Sequence, residues 1–195
     1  VMEGSVIRGG LALCEGAVLK MSAKIYGATT IGPYCKVGGE INNSVFFGYS
    51  NKAHDGFLGN SVIGEWCNLG ADTNNSNLKN NYGTVKVFSI SENAFISTGI
   101  QFCGLIMGDH SKSGINTMFN TGTVVGVNAN VFGGGFPPKH IPSFSWGGAD
   151  GFSTFDLDRS FDVSERVMSR RNLPFTDSDR DMMRQIFQLS SRFRG

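Results

Sequence analysis

Among residue types that commonly carry acid–base, nucleophilic or metal chemistry, the chain offers three histidines, His54, His110 and His140, and four cysteines, Cys14, Cys35, Cys67 and Cys103. The histidines are too widely separated for a short metal-ligand motif, so no metal is expected. The cysteines form no CxxC pair, so neither a zinc site nor a disulfide framework is signalled. Free thiols in a reducing cytosol fit that pattern. His54 is set apart by its context, SNKAHDGFLGNSVIGEWCNLGADTNNSN. An imidazole there suits proton transfer because it titrates near physiological pH, while a turn histidine that only hydrogen-bonds the backbone is the plainer alternative. Asp55 could orient the ring, although an exposed turn carboxylate is the simpler reading.

The elements that hold His54 are read from a period of six. Leu13, Leu19, Ile25, Ile31 and Val37 fall six apart, and Gly32 and Gly38 follow the last two. A second phase takes Val45, Phe57, Ile63 and Leu69, with Asn51 filling the gap, so the register slips by two between Val37 and Val45. A third runs Met107, Ser113, Phe119, Val125 and Val131. Each hexad is expected to give one short strand and one turn, with the aliphatic pointing inward where coils stack. Between roughly 74 and 106 the hexads vanish. There VKVFSI reads as a strand and Phe95 to Phe102 as apolar and irregular, an insertion or distorted coil.

After PPKHIPSFSWGG the composition shifts, and two helices are expected. Phe155, Leu157, Phe161, Val167 and Met168 fit one apolar stripe ending near Arg170 and Arg171. Pro174 breaks the chain, Thr176 with Asp179 opens a capping box, and Met182, Met183, Ile186, Phe187 and Leu189 form the next stripe. The division is residues 1–147 for the solenoid and 148–195 for a helical extension expected to pack on the solenoid or on a neighbouring subunit, since an open solenoid end must be covered. A formal charge of +1 with 17% charged residues gives no footprint for nucleic acid or an anionic membrane surface. No apolar run reaches spanning length and no signal peptide precedes the first repeat, so a cytoplasmic protein is expected. The chain starts on Val1 with the repeat already running by Val6, as expected of a piece of a longer polypeptide.

The ordered set GEINNSV, NKAH, FLGNSVIG, NLGADT, the later Asn77 and MGDHSKSGINT resembles the acetyltransferase domain of the bifunctional N-acetylglucosamine-1-phosphate uridyltransferases and their archaeal sugar-1-phosphate nucleotidylyl/acetyltransferase relatives. The resemblance runs from about Lys24 to Gly134. It implies a left-handed parallel β-helix, an exception to the usual right-handed crossover. It also implies a homotrimer with active sites between adjacent prisms, acetyl-CoA as co-substrate, and an amino-sugar 1-phosphate as acceptor. His54 matches the general base that takes a proton from the sugar amine. Asn68 and Asn77 match substrate-contacting asparagines, although Asn in a solenoid is as often a corner or ladder residue. Ala71, Gly133 and Gly134 match small residues lining the coenzyme A groove.

The match is incomplete on the acceptor side. The family holds the sugar phosphate with an Arg and a Lys. Lys24 stands at the first position and Asn42 at the second, so one cation is lost and acceptor binding is weakened or redirected. Lys52 or Lys79 is the candidate to compensate. Phe57 stands where the family has Tyr, and Asp72 replaces the last small residue of a Gly-Ala-Gly turn. These departures leave a second reading open, a catalytically degenerate β-helix that trimerises or regulates an attached nucleotidyltransferase. A zinc hydratase of the γ carbonic anhydrase type would need closely spaced histidines, which are absent.

Overall fold

A computed structural model of the chain describes residues 1–194. The hexads build a parallel β-solenoid with two C-terminal helices, as expected. The first sheet holds Val6–Arg8, Lys24–Tyr26, Glu40–Asn42 and Phe57–Gly59 in parallel register. The second has seven strands, from Leu11–Leu13 to His140–Ile141, and the third eight, from Val18–Leu19 through Ser145–Gly148 to Gly151–Thr154. Gly151–Thr154 turns back antiparallel on Ser145–Gly148 and becomes the edge of the third sheet. No helix among the described residues is long and apolar enough to cross a membrane.

The core is one column of inward side chains per sheet, including Leu19, Ile25, Ile31, Val37, Ile41, Phe46, Leu58, Ile63 and Leu69, none more than 1% exposed. The hexad count fails at two places, around the corner after Val37 and again between Leu58 and Ile63. Val45, Asn51 and Phe57 point outward, and Phe46, Lys52 and Leu58 are the inward residues. The cause is corner length. The corner after Lys36–Val37 has only Gly38 and Gly39, where the corners at residues 20–23 and 53–56 use four residues. A further residue is dropped between Ile41 and Phe46, so the inward phase falls three residues short of an unbroken count and lands one residue after the expected Val45. Gly38 and Gly39 must be glycine at this corner. A Cβ on Gly38 would lie 2.6 Å from Ala53 O, and one on Gly39 2.8 Å from His54 O.

The corner leading into the third sheet carries a column of left-handed residues. Tyr34, Tyr49, Trp66 and His110 have φ of 57, 60, 59 and 59°. Each costs about 1–2 kcal/mol in that conformation. Their rings stack along the solenoid, Tyr34 on Tyr49 at 5.2 Å, Tyr49 on Trp66 at 4.2 Å and Trp66 on His110 at 6.1 Å. Each aromatic pair returns about 0.5–1.5 kcal/mol beyond burial, so the three pairs offset part of the backbone cost.

The insertion leaves the solenoid after Asn74–Asn75 and returns before Ile106–Met107. Lys86–Ser89 is the expected strand, but the stretch read as irregular contains a second, Ala94–Ser97, paired antiparallel to it. Helix α1 (Leu157–Ser169) is capped by Asp156, whose side chain accepts from Arg159 N. Helix α2 (Asp177–Leu189) begins with the Thr176–Asp179 capping box read from the sequence. Both pack on their own solenoid through Phe144, Phe155, Phe161, Phe175 and Met183. Asn128, φ 57°, follows His110 in this corner column, and Phe144, φ 57°, comes after it, so the column ends as the anchor for the helices.

Candidate functional site

The third sheet hands over to the first at the corner that carries His54. Register fixes the neighbours of this residue. Val37 pairs with Lys52, Asn51 with Asn68, Leu69 with Ser113, and Ser113 with Val131. Two residues beyond these pairs stand Gly39, His54, Ala71, Ile115 and Gly133, one above another on successive coils. With strands about 4.8 Å apart, Ala71 is one rung from His54 and Gly133 three rungs, ~14 Å, away. Gly133 and Gly134 lie on an exposed turn where an added Cβ would meet nothing within 4 Å, and Gly133 has φ 95°.

On the third-sheet side of this corner lies a groove of about 680 Å³ that includes His54, Asn68 and Ala71. Its floor is the outward ladder Lys36, Asn51, Asn68 and Lys112, one residue per coil. Its far wall is the end of α1, through Val167, Arg170 and Arg171. The lining therefore holds Lys36, Lys112, Arg170 and Arg171 and no carboxylate. The chain's ion pairs among the described residues, Arg180 with Glu165 and Arg184 with Asp181, lie elsewhere on the helices. Burial pushes the Lys112 ammonium down to about 8, and it donates to His110 O at 2.8 Å. Asn51 Oδ1, also shielded from solvent, has no partner among the described residues. An anion with a hydrogen-bond donor would satisfy all of these groups at once. Sequence reasoning passed over this wall because the SRR run lies far along the chain from every strand it faces. Only the third-sheet ladder, with Lys36 and Lys112 in one outward column, was open to a correct hexad count.

The remaining candidates fall on the first-sheet side. Lys24 and Asn42 line a second groove of about 690 Å³ with Arg8, Tyr26 and Glu40. Lys24 sits directly across from Glu40 on the next coil. Glu40 Oε1 accepts from Tyr26 Oη at 2.6 Å, and this hydrogen bond, with burial and the carboxylate charge, pushes the phenol up to about 12. The Asn42 amide donates to Tyr26 O at 3.3 Å. Phe57 lies two rungs from Lys24 in the same outward column. Phe57 and the Asn77 amide both pack over Gly59. Asn77 Nδ2 donates to Asn60 Oδ1 at 2.7 Å, fixing the root of the insertion. His54 is thus the divide: Asn68 and Ala71 on one side, Lys24, Asn42, Phe57 and Asn77 on the other. Lys52, the candidate for a compensating surface cation, is turned into the core and is 0% exposed. Asp72 occupies a left-handed corner, φ 54°, the backbone demand that the glycine of a Gly-Ala-Gly turn would meet.

The other histidines are poorly placed for proton transfer. His110 is buried at the end of the aromatic stack, and burial, with the neighbouring Lys112 charge, pushes it down to about 3. Half-buried His140 lies flat against Phe88 at 3.6 Å, and burial lowers its pKa. His54 is exposed. No group of three or more metal-ligating side chains occurs among the described residues. All four cysteines are free thiols, and burial pushes Cys35 up to about 11 and Cys67 up to about 12.

No family model matches the chain, and no curated protein matches it. Solved structures do. The S84T mutant of AntD, an N-acyltransferase from Bacillus cereus in complex with dTDP and coenzyme A, is 13% identical with a TM-score of 0.41, over 83% of this chain and 91% of that one. The polySia-specific acetyltransferase NeuO is 14% identical with a TM-score of 0.41, over 86% and 95%. The polysialic acid O-acetyltransferase OatWY is 12% identical with a TM-score of 0.31, over 76% and 87%. At these values none of them decides this chain's chemistry, which rests on its own residues.

Proposed function

We propose that this chain is an acetyl-CoA-dependent N-acetyltransferase acting on an amino-sugar 1-phosphate in the cytoplasm. The observation that carries the reading is the exposed His54 imidazole at the edge of a groove with four cations and no carboxylate. Both proposed substrates bear phosphate, and each charge-assisted contact to such a group is roughly twice as strong as a neutral one. Lys36, Lys112, Arg170 and Arg171 hold the phosphates of one substrate, with Asn68 in the same ladder. Ala71, Gly133 and Gly134 are the small positions in the column above His54, and the exposed Ile115 between them gives a long, narrow ligand an apolar contact. Lys24, Asn42, Phe57 and Asn77 contact the sugar from the first-sheet side.

In the reaction, the sugar amine attacks the thioester carbonyl and His54 takes the proton the nitrogen sheds. The C–N bond forms, the C–S bond breaks, and the departing thiolate recovers a proton. Imidazole suits both transfers because its ordinary pKa lies near neutrality. The exposed stripe Val45, Val62 and Ile106 on the second sheet supports association with further copies of this chain, and the homotrimer is the assembly that the family resemblance implies. An upstream nucleotidyltransferase half completes the reading.

A specific observation favours the alternative, a degenerate solenoid serving an attached nucleotidyltransferase. Glu40 stands opposite Lys24, so the first-sheet groove, with Arg8 and Lys24 set against that carboxylate, attracts an acceptor phosphate less than a paired-cation site would. The two readings separate in an assay of acetyl transfer from acetyl-CoA to glucosamine 1-phosphate and galactosamine 1-phosphate, with His54→Ala as the control. Transfer by the wild type that His54→Ala abolishes supports the enzyme. Full activity in an oligomeric His54→Ala removes His54 as base, and no transfer to any amine leaves the scaffold.

A further inference from the structure

Lys52 occupies an inward core position between Val37 on one coil and Leu69 on the next. It is 0% exposed, in a column otherwise filled by Leu19, Val37, Leu69, Ser113 and Val131. No carboxylate pairs with it, and its ammonium is hydrogen-bonded to main-chain carbonyls. Nζ donates to His54 O at 2.8 Å, to Asp55 O at 3.2 Å and, at the limit, to Gly38 O at 3.5 Å. Burying an ammonium costs several kcal/mol even after relaxation, so a core lysine here is a poor way to gain stability over the leucine or valine of the neighbouring coils. Its reach is specific: the carbonyls it binds belong to the shortened glycine corner and to the turn that begins at His54.

The shortened corner explains why a donor is needed. With two residues removed, Gly38 and Gly39 press directly against Ala53 O, His54 O and Asp55 Cα. The His54 turn therefore has backbone on one side and the core on the other, and its carbonyls point inward. An apolar side chain at position 52 would take the ammonium donor away from His54 O and Gly38 O, while Asp55 O would keep the Asp72 N–H at 3.0 Å.

We propose that Lys52 is a positioning residue: from inside the solenoid its ammonium fixes the turn that presents the His54 imidazole. This rests on His54 being the base, so the test includes a readout independent of turnover. Lys52→Met removes the donor at similar volume, and Lys52→Gln keeps a donor without charge. In folded Lys52→Met, the His54 ring signals in the NMR spectrum shift and their order parameter falls, while Lys52→Gln stays closer to the wild type. With acetyl-CoA and the amine, kcat of Lys52→Met falls on the order of 10- to 100-fold, as expected for a base displaced by a fraction of an ångström to an ångström, with both KM values within about twofold. In a His54→Ala background the Met substitution has little further effect on the residual rate. An unchanged His54 ring in folded Lys52→Met overturns the proposal, as does an effect confined to KM or to the folded fraction. A chain that folds with neither substitution also overturns it, since Lys52 would then be a determinant of folding. A moved ring in Lys52→Met with an unimpaired His54→Ala separates the cases: the positioning stands and the base assignment fails.

Discussion

Trp66 lies ring on ring with Tyr49, 4.2 Å apart and 4° from parallel, both residues in the left-handed backbone conformation. Glycine or asparagine would meet the corner geometry without strain. Large rings hold it through their neighbours, and the same ring edges form one wall of the groove beside His54.

Trp66→Ala is therefore expected to destabilise the protein by about 3–5 kcal/mol, as for large buried aromatics. Tyr34→Ala, at the solvent end of the stack with 36% exposure, costs well under half of that. Chemical denaturation of the two variants measures the difference. Equal costs would mean that the stack does not act as a continuous column.

Arg170→Ala and Arg171→Ala each weaken binding of a phosphate-bearing ligand by about 10-fold, the equivalent of one charge-assisted hydrogen bond. Calorimetric titration with coenzyme A reads this directly. The wild-type affinity also falls with added salt, and each variant shows a shallower salt dependence. An affinity indifferent to both arginines would remove the end of α1 from the site.

Acid stability reports on His110. The unfolded chain takes up a proton near the ordinary value of 6.5, which the folded chain refuses until about 3. Stability accordingly falls as pH drops from 6.5 toward 3. His110→Phe keeps a ring in the stack and removes this uptake, so its urea midpoint changes less between pH 6.5 and 4.5. Lys52 and Lys112, both pushed down to about 8 from 10.5, act at the other end: stability rises as pH goes from about 8 toward 9. Above 9 the raised thiols of Cys35 and Cys67 oppose them, because the folded chain then holds protons the unfolded chain has lost.

Val62 and Val45 are 40% and 38% exposed at the centre of the outward stripe on the second sheet. Val62→Asp places a charge in that stripe without touching the core, where Ile63 is the inward residue. Light scattering coupled to size exclusion is expected to show a monomer for the variant and a trimer for the wild type. An unchanged mass would move the interface to another face.

The sequence by itself determined the solenoid, because a period of six with small residues at fixed places is a local pattern that each coil repeats. It also determined both helices, since Thr176 with Asp179 and the apolar stripes act within a few residues of one another. His54 was singled out as a candidate by its neighbours in the chain. What only the tertiary structure decided were relationships between coils. The two-residue corner at Gly38 and Gly39, with the residue dropped before Phe46, shifted the inward phase, so that Lys52 faces the core and Phe57 faces out. A count along one strand of text cannot register that shift, because facing depends on how long each corner is. The groove is the same case: Arg170 and Arg171 reach Lys36 and Lys112 because α1 folds back over the third sheet, held by Phe144 and Phe161. Such long-range packing of apolar side chains leaves no local mark in the order of the residues.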